Sequence, residues 1–388
     1  MKYRQDTICV HGNNQYGKQH PYGAVTAPIY QTATFSHPRV GESTGFDYSR
    51  ESNPTRAELE ETVSALEYAC YTAVCSSGMA ALTLCLELFS TGSHILCTRD
   101  LYGGSVRLFT SLGEKRGIHF TYVDTSDIAA VRKNITPATK ALYIETPSNP
   151  TMSVTDIRAM KKLADEFSLL LIVDNTFLSP YFQNPLCLGA DLVIHSGTKF
   201  LNGHNDVLAG FLCTNREDLA AQIRYLYKTV GSCLSAFDSY LLLRGIKTLS
   251  VRMEKQQANA LTIASWLKTQ SWIKNVLYVG LKSHPGYDIN ISQSRGYGSM
   301  ISFHVDKEAT AIKILQNVKL ITYAESLGGT ESLITYPLLQ THADVPEDIR
   351  NQLGINNCIL RLSVGLEDSQ DLIDDLSQAF EGGDEHEL

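Results

Sequence analysis

The sequence has no apolar run of membrane-spanning length. Its tightest, Leu169 to Val173, is far short of the roughly 20 residues a bilayer-crossing helix needs, so no membrane partner is expected. The opening stretch "MKYRQDTICVHGNNQYG" holds no apolar core of signal-peptide character, and a cytoplasmic location is the expectation. Excess positive charge is also missing. Lys and Arg number 33 against 41 Asp and Glu, a net charge of −8, which argues against a nucleic-acid partner. None of the nine cysteines forms a Cys-x-x-Cys pair. Neither a disulfide framework nor a zinc knuckle is suggested; the cysteines read as buried thiols of a reducing compartment, and no metal site is expected. Gly-x-Gly-x-x-Gly and the Walker lysine motif are both absent, which disfavours a nicotinamide-dinucleotide or nucleotide fold. The end, "EGGDEHEL", reads as a frayed acidic tail. Its last four residues match an ER-retention signal only loosely.

What is present is a chain of 388 residues with 43% hydrophobic composition, long enough for two domains. Residues 1–55 are rich in Gly, Pro, Thr, Tyr and Asn with little periodicity. They read as an irregular arm that packs on a neighbouring subunit. From residue 56 the pattern is regular. "TRAELEETVSALEYA", "MAALTLCLELF", "SVRLFTSLGEKRG" and "DIRAMKKLADEFS" have helical spacing. Between and after them "TAVCSSG", "HILCT", "HFTYVD", "KALYIETPSNP", "LLLIVDNT", "ADLVIHSGTK" and "AGFLCT" read as strands. Strands alternating with helices, and apolar on both faces, predict an α/β domain over 56–254 built on a mostly parallel sheet. A long proline-free helical stretch follows from about Ser235 to Gln270. A smaller C-terminal α/β domain is expected over 255–388, with strands in "GYGSMISFHVD", "VKLITYAES" and "CILRLSVGLE".

The unusual residues cluster at predicted strand ends, where open α/β sheets bind ligands. Ser76-Ser77-Gly78-Met79 joins a strand to a helix. Glycine there permits close backbone approach, and the helix start offers free N–H groups for a phosphate; a plain strand–helix turn explains the stretch as well. Asp174 ends an apolar strand. It reads either as an N-cap or as the partner of a cationic ring nitrogen, since a carboxylate there needs pairing. Lys199 ends another strand, flanked by Ser196, Gly197 and Thr198. A desolvated lysine becomes an amine nucleophile, and the hydroxyls suit a phosphate; a lone surface lysine would lack such company. Tyr102 opens "YGGS", which suits a ring lying flat on another or an ordinary turn. In this order the parts form the set that pyridoxal phosphate requires.

The segments "SSGMAA", "YGGS", "ETPSNPT", "VDNTF", "HSGTKFLNGHND", "AESLGGTESL" and "RLSVGLE" occur in the order seen in the cystathionine γ-synthase/γ-lyase family, the Cys/Met metabolism enzymes dependent on pyridoxal 5'-phosphate. The chain resembles that family from "GAVTAPIYQTATF" to "RLSVGLED", almost throughout. The resemblance implies the type I fold of pyridoxal phosphate-dependent transferases, and a homotetramer built as a dimer of dimers. It implies that Lys199 forms the Schiff base and shuttles protons, Asp174 pairs with the pyridinium, and Tyr102 stacks on the ring. Gly78, Met79, Ser196 and Thr198 would hold the phosphate, while Tyr48 and Arg50 of "FDYSR" would reach the phosphate of a neighbouring subunit. Asn149, Ser326 and Arg361 would hold the substrate's α-carboxylate, although Arg361 by itself reads as a strand-edge arginine. Gly197 stands where the family often has Ala, and Phe200 where it often has Tyr; neither change removes a reacting group.

Within the family, methionine γ-lyases typically carry cysteine at the position of Gly104 and lack the acid that here is Glu325. Glu325 resembles the pattern of members that handle cystathionine or cysteine, whose distal amine it would bind; it reads otherwise as a solvated loop carboxylate. "GESTGFDY", "GGTESLITYP" and "THADVPEDIR" look most like bacterial cystathionine γ-synthases. The implied reaction is γ-replacement on an O-acylhomoserine by cysteine. Cystathionine γ-lyase, O-acetylhomoserine sulfhydrylase and cystathionine β-lyase activities, or action on an unusual γ-substituted amino acid, are the alternatives. A sensor that only binds the cofactor is disfavoured because Lys199, Asp174, Tyr102 and Arg361 are all retained.

Overall fold

The computed structural model describes residues 3–12, 20–343 and 345–382; the acidic tail from residue 383 lies outside them. A seven-stranded sheet forms from β1 (Tyr71–Cys75), β2 (His94–Thr98), β3 (His119–Val123), β4 (Thr139–Glu145), β5 (Leu170–Asp174), β6 (Leu192–Ser196) and β7 (Gly210–Thr214), in the order β1-β7-β6-β5-β4-β2-β3. The β3-β2, β2-β4, β4-β5 and β5-β6 pairs are parallel, whereas β7 runs antiparallel to both β6 and β1. Alternate residues of β4–β6 feed two apolar layers. Leu142, Ile144, Leu171, Val173 and Val193 enter one, and Ala141, Tyr143, Ile172, Leu192 and Ile194 enter the other. Burial on both faces is why these strands read as continuous apolar runs rather than alternating ones.

Of three helices early in the chain, two pack on this sheet. The first, α1 (Gln5–His11), packs on α2 (Pro54–Glu67). Asn53 caps α2, accepting from Thr55 N at 3.0 Å, and Pro54 occupies its first turn, where a missing N–H costs nothing. α3 (Gly78–Leu86) is capped by Ser77, whose Oγ accepts from Ala80 N at 3.0 Å. Strand ends Glu145, Asp174 and Ser196 lie at the same edge of neighbouring strands, with Glu145 in register with Asp174, and Asp174 with Ile194.

A second sheet follows, formed by β8 (Ile273–Leu277), β9 (Met300–Val305), β10 (Thr322–Tyr323), β11 (Leu333–Thr335) and β12 (Ile359–Ser363), in the order β10-β11-β12-β9-β8. Its own apolar cluster includes Phe303, Ile334, Leu360, Leu362 and Leu372. The expected α/β architecture, a large mostly parallel sheet followed by a smaller sheet with helices, is what the chain adopts.

Local expectations needed revision in four places. The arm contains the helix α1, where an irregular segment was expected. The helical stretch from Ser235 divides into Ala236–Ile246 and Leu249–Leu267. The expected strand in "VKLITYAES" shrinks to Thr322–Tyr323, because the Asp375 carboxylate takes the main-chain N–H groups of Lys319, Leu320 and Ile321 at 2.8–3.0 Å. Amides bound to a side chain are not available to a strand ladder. The helix Glu217–Val230 and strand β8 were not anticipated.

Candidate active site

A cavity of about 230 Å³ opens at the carboxyl edge of the large sheet. Its walls include Gly78, Met79, Tyr102, Asn149, Asp174, Ser196, Thr198, Lys199, Glu325, Ser326 and Arg361, so eleven of the thirteen residues singled out in the sequence meet in one place. Tyr48 and Arg50 do not. They border a separate surface hollow with Cys233 and Ser235, where the Arg50 guanidinium lies 5.5 Å from the Tyr48 ring centroid and donates to Lys228 O.

One end of the cavity is built for an anion. With Ala80 N–H taken by Ser77, the Gly78 and Met79 amides remain in the first turn of α3, where a helix has no internal acceptors. Ser196 faces them closely, for a side chain at Gly78 would place its Cβ 3.0 Å from Ser196 Cβ and 3.1 Å from its Oγ. Ser196 N donates to Thr176 Oγ1 at 2.9 Å. Thr198 Oγ1 accepts from Ala209 N at 3.0 Å and so fixes the turn leading to Lys199.

The middle of the cavity offers a carboxylate and an aromatic face. Asp174 Oδ1 accepts from Thr176 N at 3.0 Å, and Oδ2 accepts from Tyr143 Oη at 3.4 Å. Burial pushes the Asp174 carboxyl up, against the pull of its hydrogen bonds with Thr176. Glu145, beside it on β4, is pushed up strongly by burial and then by the charge of Asp174. Two buried carboxylates on adjacent strands cannot both ionise cheaply unless a cation joins them. Glu145 Oε2 accepts from Tyr102 N at 3.2 Å. The Tyr102 ring lies over Gly104, where a Cβ would fall 2.4 Å from Tyr102 Cε1. Gly104 therefore leaves room for the ring.

At the other end, Lys199 Nζ donates to Ser326 Oγ at 2.8 Å. Burial first, and the positive charge of Arg361 second, lower the Lys199 amine from 10.5 to about 8 against the opposing charge of Glu325. Ser326 has φ 90°, a strained conformation for a residue with a side chain. That twist lets Ser326 O accept from Arg361 Nη2 at 3.0 Å while its Oγ meets Lys199. Arg361 Nη1 donates to Asn149 Oδ1 at 2.9 Å, and Nη2 also reaches Thr335 Oγ1 at 3.2 Å. Arg361 is fully buried, and desolvation lowers its guanidinium to about 10.

The residues fit pyridoxal phosphate on the structure's own terms. The Gly78–Ser196 cleft is a cradle that a Cβ would fill. The buried Arg361 Nε has no hydrogen-bond partner among the described residues, which suits a second prong for a carboxylate. Asp174 and Glu145 together call for a cation, and a low-pKa amine stands in the same cavity. Sequence reasoning missed Glu145, Thr176 and Thr341, all of which line the cavity. Glu145 carried one available signal, since it ends an apolar strand as Asp174 does.

The family model for Cys/Met metabolism PLP-dependent enzymes matches residues 6–381. Cystathionine γ-lyase of Bacillus subtilis is 45% identical over 378 residues, covering 97% of this chain and 99% of that protein. Cystathionine γ-synthase of Haemophilus influenzae is 45% identical over 381 residues, covering 98% of each. The crystal structure of cystathionine γ-lyase from Lactobacillus plantarum complexed with L-serine superposes with a TM-score of 0.95 at 42% identity, covering 98% of this chain and 99% of that one.

Proposed function

Because this chain belongs to the Cys/Met metabolism family of pyridoxal phosphate-dependent trans-sulfuration enzymes, we propose that it catalyses γ-replacement on an O-acylhomoserine by cysteine, giving cystathionine. The observation that carries this reading is the carboxylate at the cavity's substrate end. Glu325 lines the cavity with Lys199 and Arg361, so the site offers a guanidinium for one amino acid's carboxylate and an acid for a second amino acid's ammonium. A thiol donor that is itself an amino acid suits that pairing; sulfide does not use it.

Bound pyridoxal phosphate supplies an electron sink that stabilises negative charge developing on the substrate carbons. The chain supplies position and proton transfer. Amides of Gly78 and Met79, with the hydroxyls of Ser196 and Thr198, would hold the phosphate, the Thr198 hydroxyl turning to it from Ala209 O. Asp174 would hold the ring nitrogen and keep the ring positive, and Tyr102 would pack on the ring. Arg361 and Asn149 orient the α-carboxylate. Burial favours the neutral form of the Lys199 amine. It takes the α-proton and assists transfer at the β-carbon, while Ser326 Oγ holds it in line. The Cγ–O bond then breaks, the acyl group leaving with its oxygen as a carboxylate, and cysteine sulfur bonds to the γ-carbon as its thiol gives up a proton.

Residues 56–254 act as the cofactor-binding domain, and residues 255–388 bring in Glu325, Ser326 and Arg361. In a homotetramer assembled as a dimer of dimers, Tyr48 and Arg50 serve a neighbour's phosphate, which is consistent with their distance from their own cavity. γ-Elimination of cystathionine is the second reading. It uses the same groups, and the equal identity to a γ-lyase and a γ-synthase favours neither. The deciding experiment offers purified, cofactor-loaded protein O-acetyl- or O-succinylhomoserine with and without cysteine, beside cystathionine alone. Cystathionine formation faster than its breakdown is the expected result. Cysteine and 2-oxobutyrate released from cystathionine, with little synthesis, would replace this reading with γ-lyase.

A further inference from the structure

Behind the cavity, a single carboxylate oxygen gathers the two strands that carry it. Glu67 ends α2 and His195 lies in β6; they are 0% and 1% exposed. Glu67 Oε1 lies 2.6 Å from His195 Nε2 and also accepts from Asn175 Nδ2 at 3.0 Å. Asn175 immediately follows Asp174, and His195 immediately precedes Ser196. Asn175 is held in turn, its Nδ2 donating to Gln183 O at 2.8 Å and its Oδ1 accepting from Gln183 Nε2 at 2.9 Å. Its main-chain N donates to Ile194 O at 2.9 Å, tying β5 to β6 at the point where both reach the cavity.

A buried ionisable pair is costly to assemble, and apolar side chains of similar volume would fill the same space without that cost. Here the cost is not even fully offset, because Glu67 Oε2 and His195 Nδ1 are buried without hydrogen-bond partners among the described residues. Unsatisfied buried groups of this kind ask for a use. The neighbour that benefits is Asp174. Burial pushes its carboxyl toward the neutral acid, against the hydrogen bonds of Thr176, and Glu67 holds the residue next to it. Cys213 on β7 also feels Glu67, but burial and that charge keep its thiol neutral.

We propose that Glu67 and His195 are positioning residues for the cofactor. Glu67 ties Asn175 to His195 and so fixes the spacing of the Asp174 and Ser196 strand ends that face the ring nitrogen and the phosphate. The inference rests on the reading of Asp174 and Lys199 as cofactor-binding groups.

The test uses the full chain as wild type, Glu67→Gln, His195→Gln and the double variant. Three quantities are measured: pyridoxal phosphate affinity, the pH midpoint of the absorbance band of Lys199-linked cofactor, and the urea midpoint of cofactor-free protein. Loss of one charge-assisted hydrogen bond corresponds to roughly tenfold weaker cofactor binding in Glu67→Gln. The band midpoint should rise by about half a pH unit, because an Asp174 displaced from the ring nitrogen leaves the ring less positive and the linked nitrogen easier to protonate. His195→Gln should shift the midpoint in the same direction, and the double variant no further than Glu67→Gln alone, since His195 reaches the Asp174 strand end through Glu67. A lower urea midpoint with unchanged affinity and unchanged band midpoint would assign the pair to stability alone and overturn the proposal. Should Glu67→Gln fail to fold, His195→Gln decides by the same criteria. If wild type itself forms no Lys199-linked band, the reading of the site falls first and takes this inference with it.

Discussion

Replacing Lys199 by Met should stabilise the cofactor-free protein at neutral pH while abolishing its chemistry. In the folded chain burial lowers the amine from 10.5 to about 8, so below pH 8 the fold must hold a charged amine where it is poorly hydrated. At about 1.36 kcal/mol per pH unit, that opposes folding by about 3 kcal/mol at pH 7. Met, of similar length and uncharged, removes the cost. It also removes the hydrogen bond from Nζ to Ser326 Oγ, worth roughly 1 kcal/mol. A net gain of about 2 kcal/mol is expected. The sign follows from proton counts. Between the folded pKa near 8 and the unfolded value of 10.5, the unfolded chain binds more protons at Lys199, so wild-type stability rises with pH there. The advantage of Lys199→Met should therefore be full below pH 8, shrink by about 1.36 kcal/mol per unit up to pH 10.5, and reverse slightly above it. Urea unfolding of both cofactor-free proteins across pH 6–11, at one fixed protein concentration, reads this directly. A variant that is less stable than wild type at pH 7, or a difference independent of pH, would refute the reasoning.

Three further outcomes are expected. Arg361→Lys keeps the charge but loses the forked donation shared with Asn149; steady-state kinetics should show KM for the amino-acid substrate raised by roughly a hundredfold and kcat changed less. Gly78→Ala puts a methyl group into the Gly78–Ser196 cradle; equilibrium dialysis should show pyridoxal phosphate held roughly tenfold more weakly, while circular dichroism of the cofactor-free protein stays as in wild type. Tyr48→Phe combined with Arg50→Ala should weaken cofactor retention in the assembled protein although neither residue lines its own cavity; unchanged affinity would remove the cross-subunit role.

Much of the site was readable because its parts are local. Ser196, Thr198 and Lys199 fall within four consecutive residues, and Asp174 closes an apolar strand, so strand alternation and residue chemistry place them together. Gly78 and Met79 follow from a strand–helix join. Residues whose partners are distant in the chain were readable only through resemblance. Arg361 meets Asn149 across 212 positions, and Lys199 meets Ser326 across 127. Alone, Arg361 looks like any arginine in a strand. Other features left no local trace. Ser326 takes a positive φ although it is not glycine. The short strand at Thr322–Tyr323 yields its neighbouring amides to Asp375 from a helix far along the chain.

By itself, then, the order of apolar, small and polar residues determined an α/β chain with a mostly parallel sheet and reactive groups at its carboxyl edge. Those features depend on periodicity and on the chemistry of near neighbours, which a sequence records directly. Only the tertiary structure decided the electrostatics of the site. Whether Lys199 is acidic enough to act, whether Glu145 crowds Asp174, and whether Glu67 and His195 form a buried pair all depend on distance and desolvation. Coulombic and desolvation energies follow separation in space and the loss of water. A linear sequence carries neither until the strands are laid side by side.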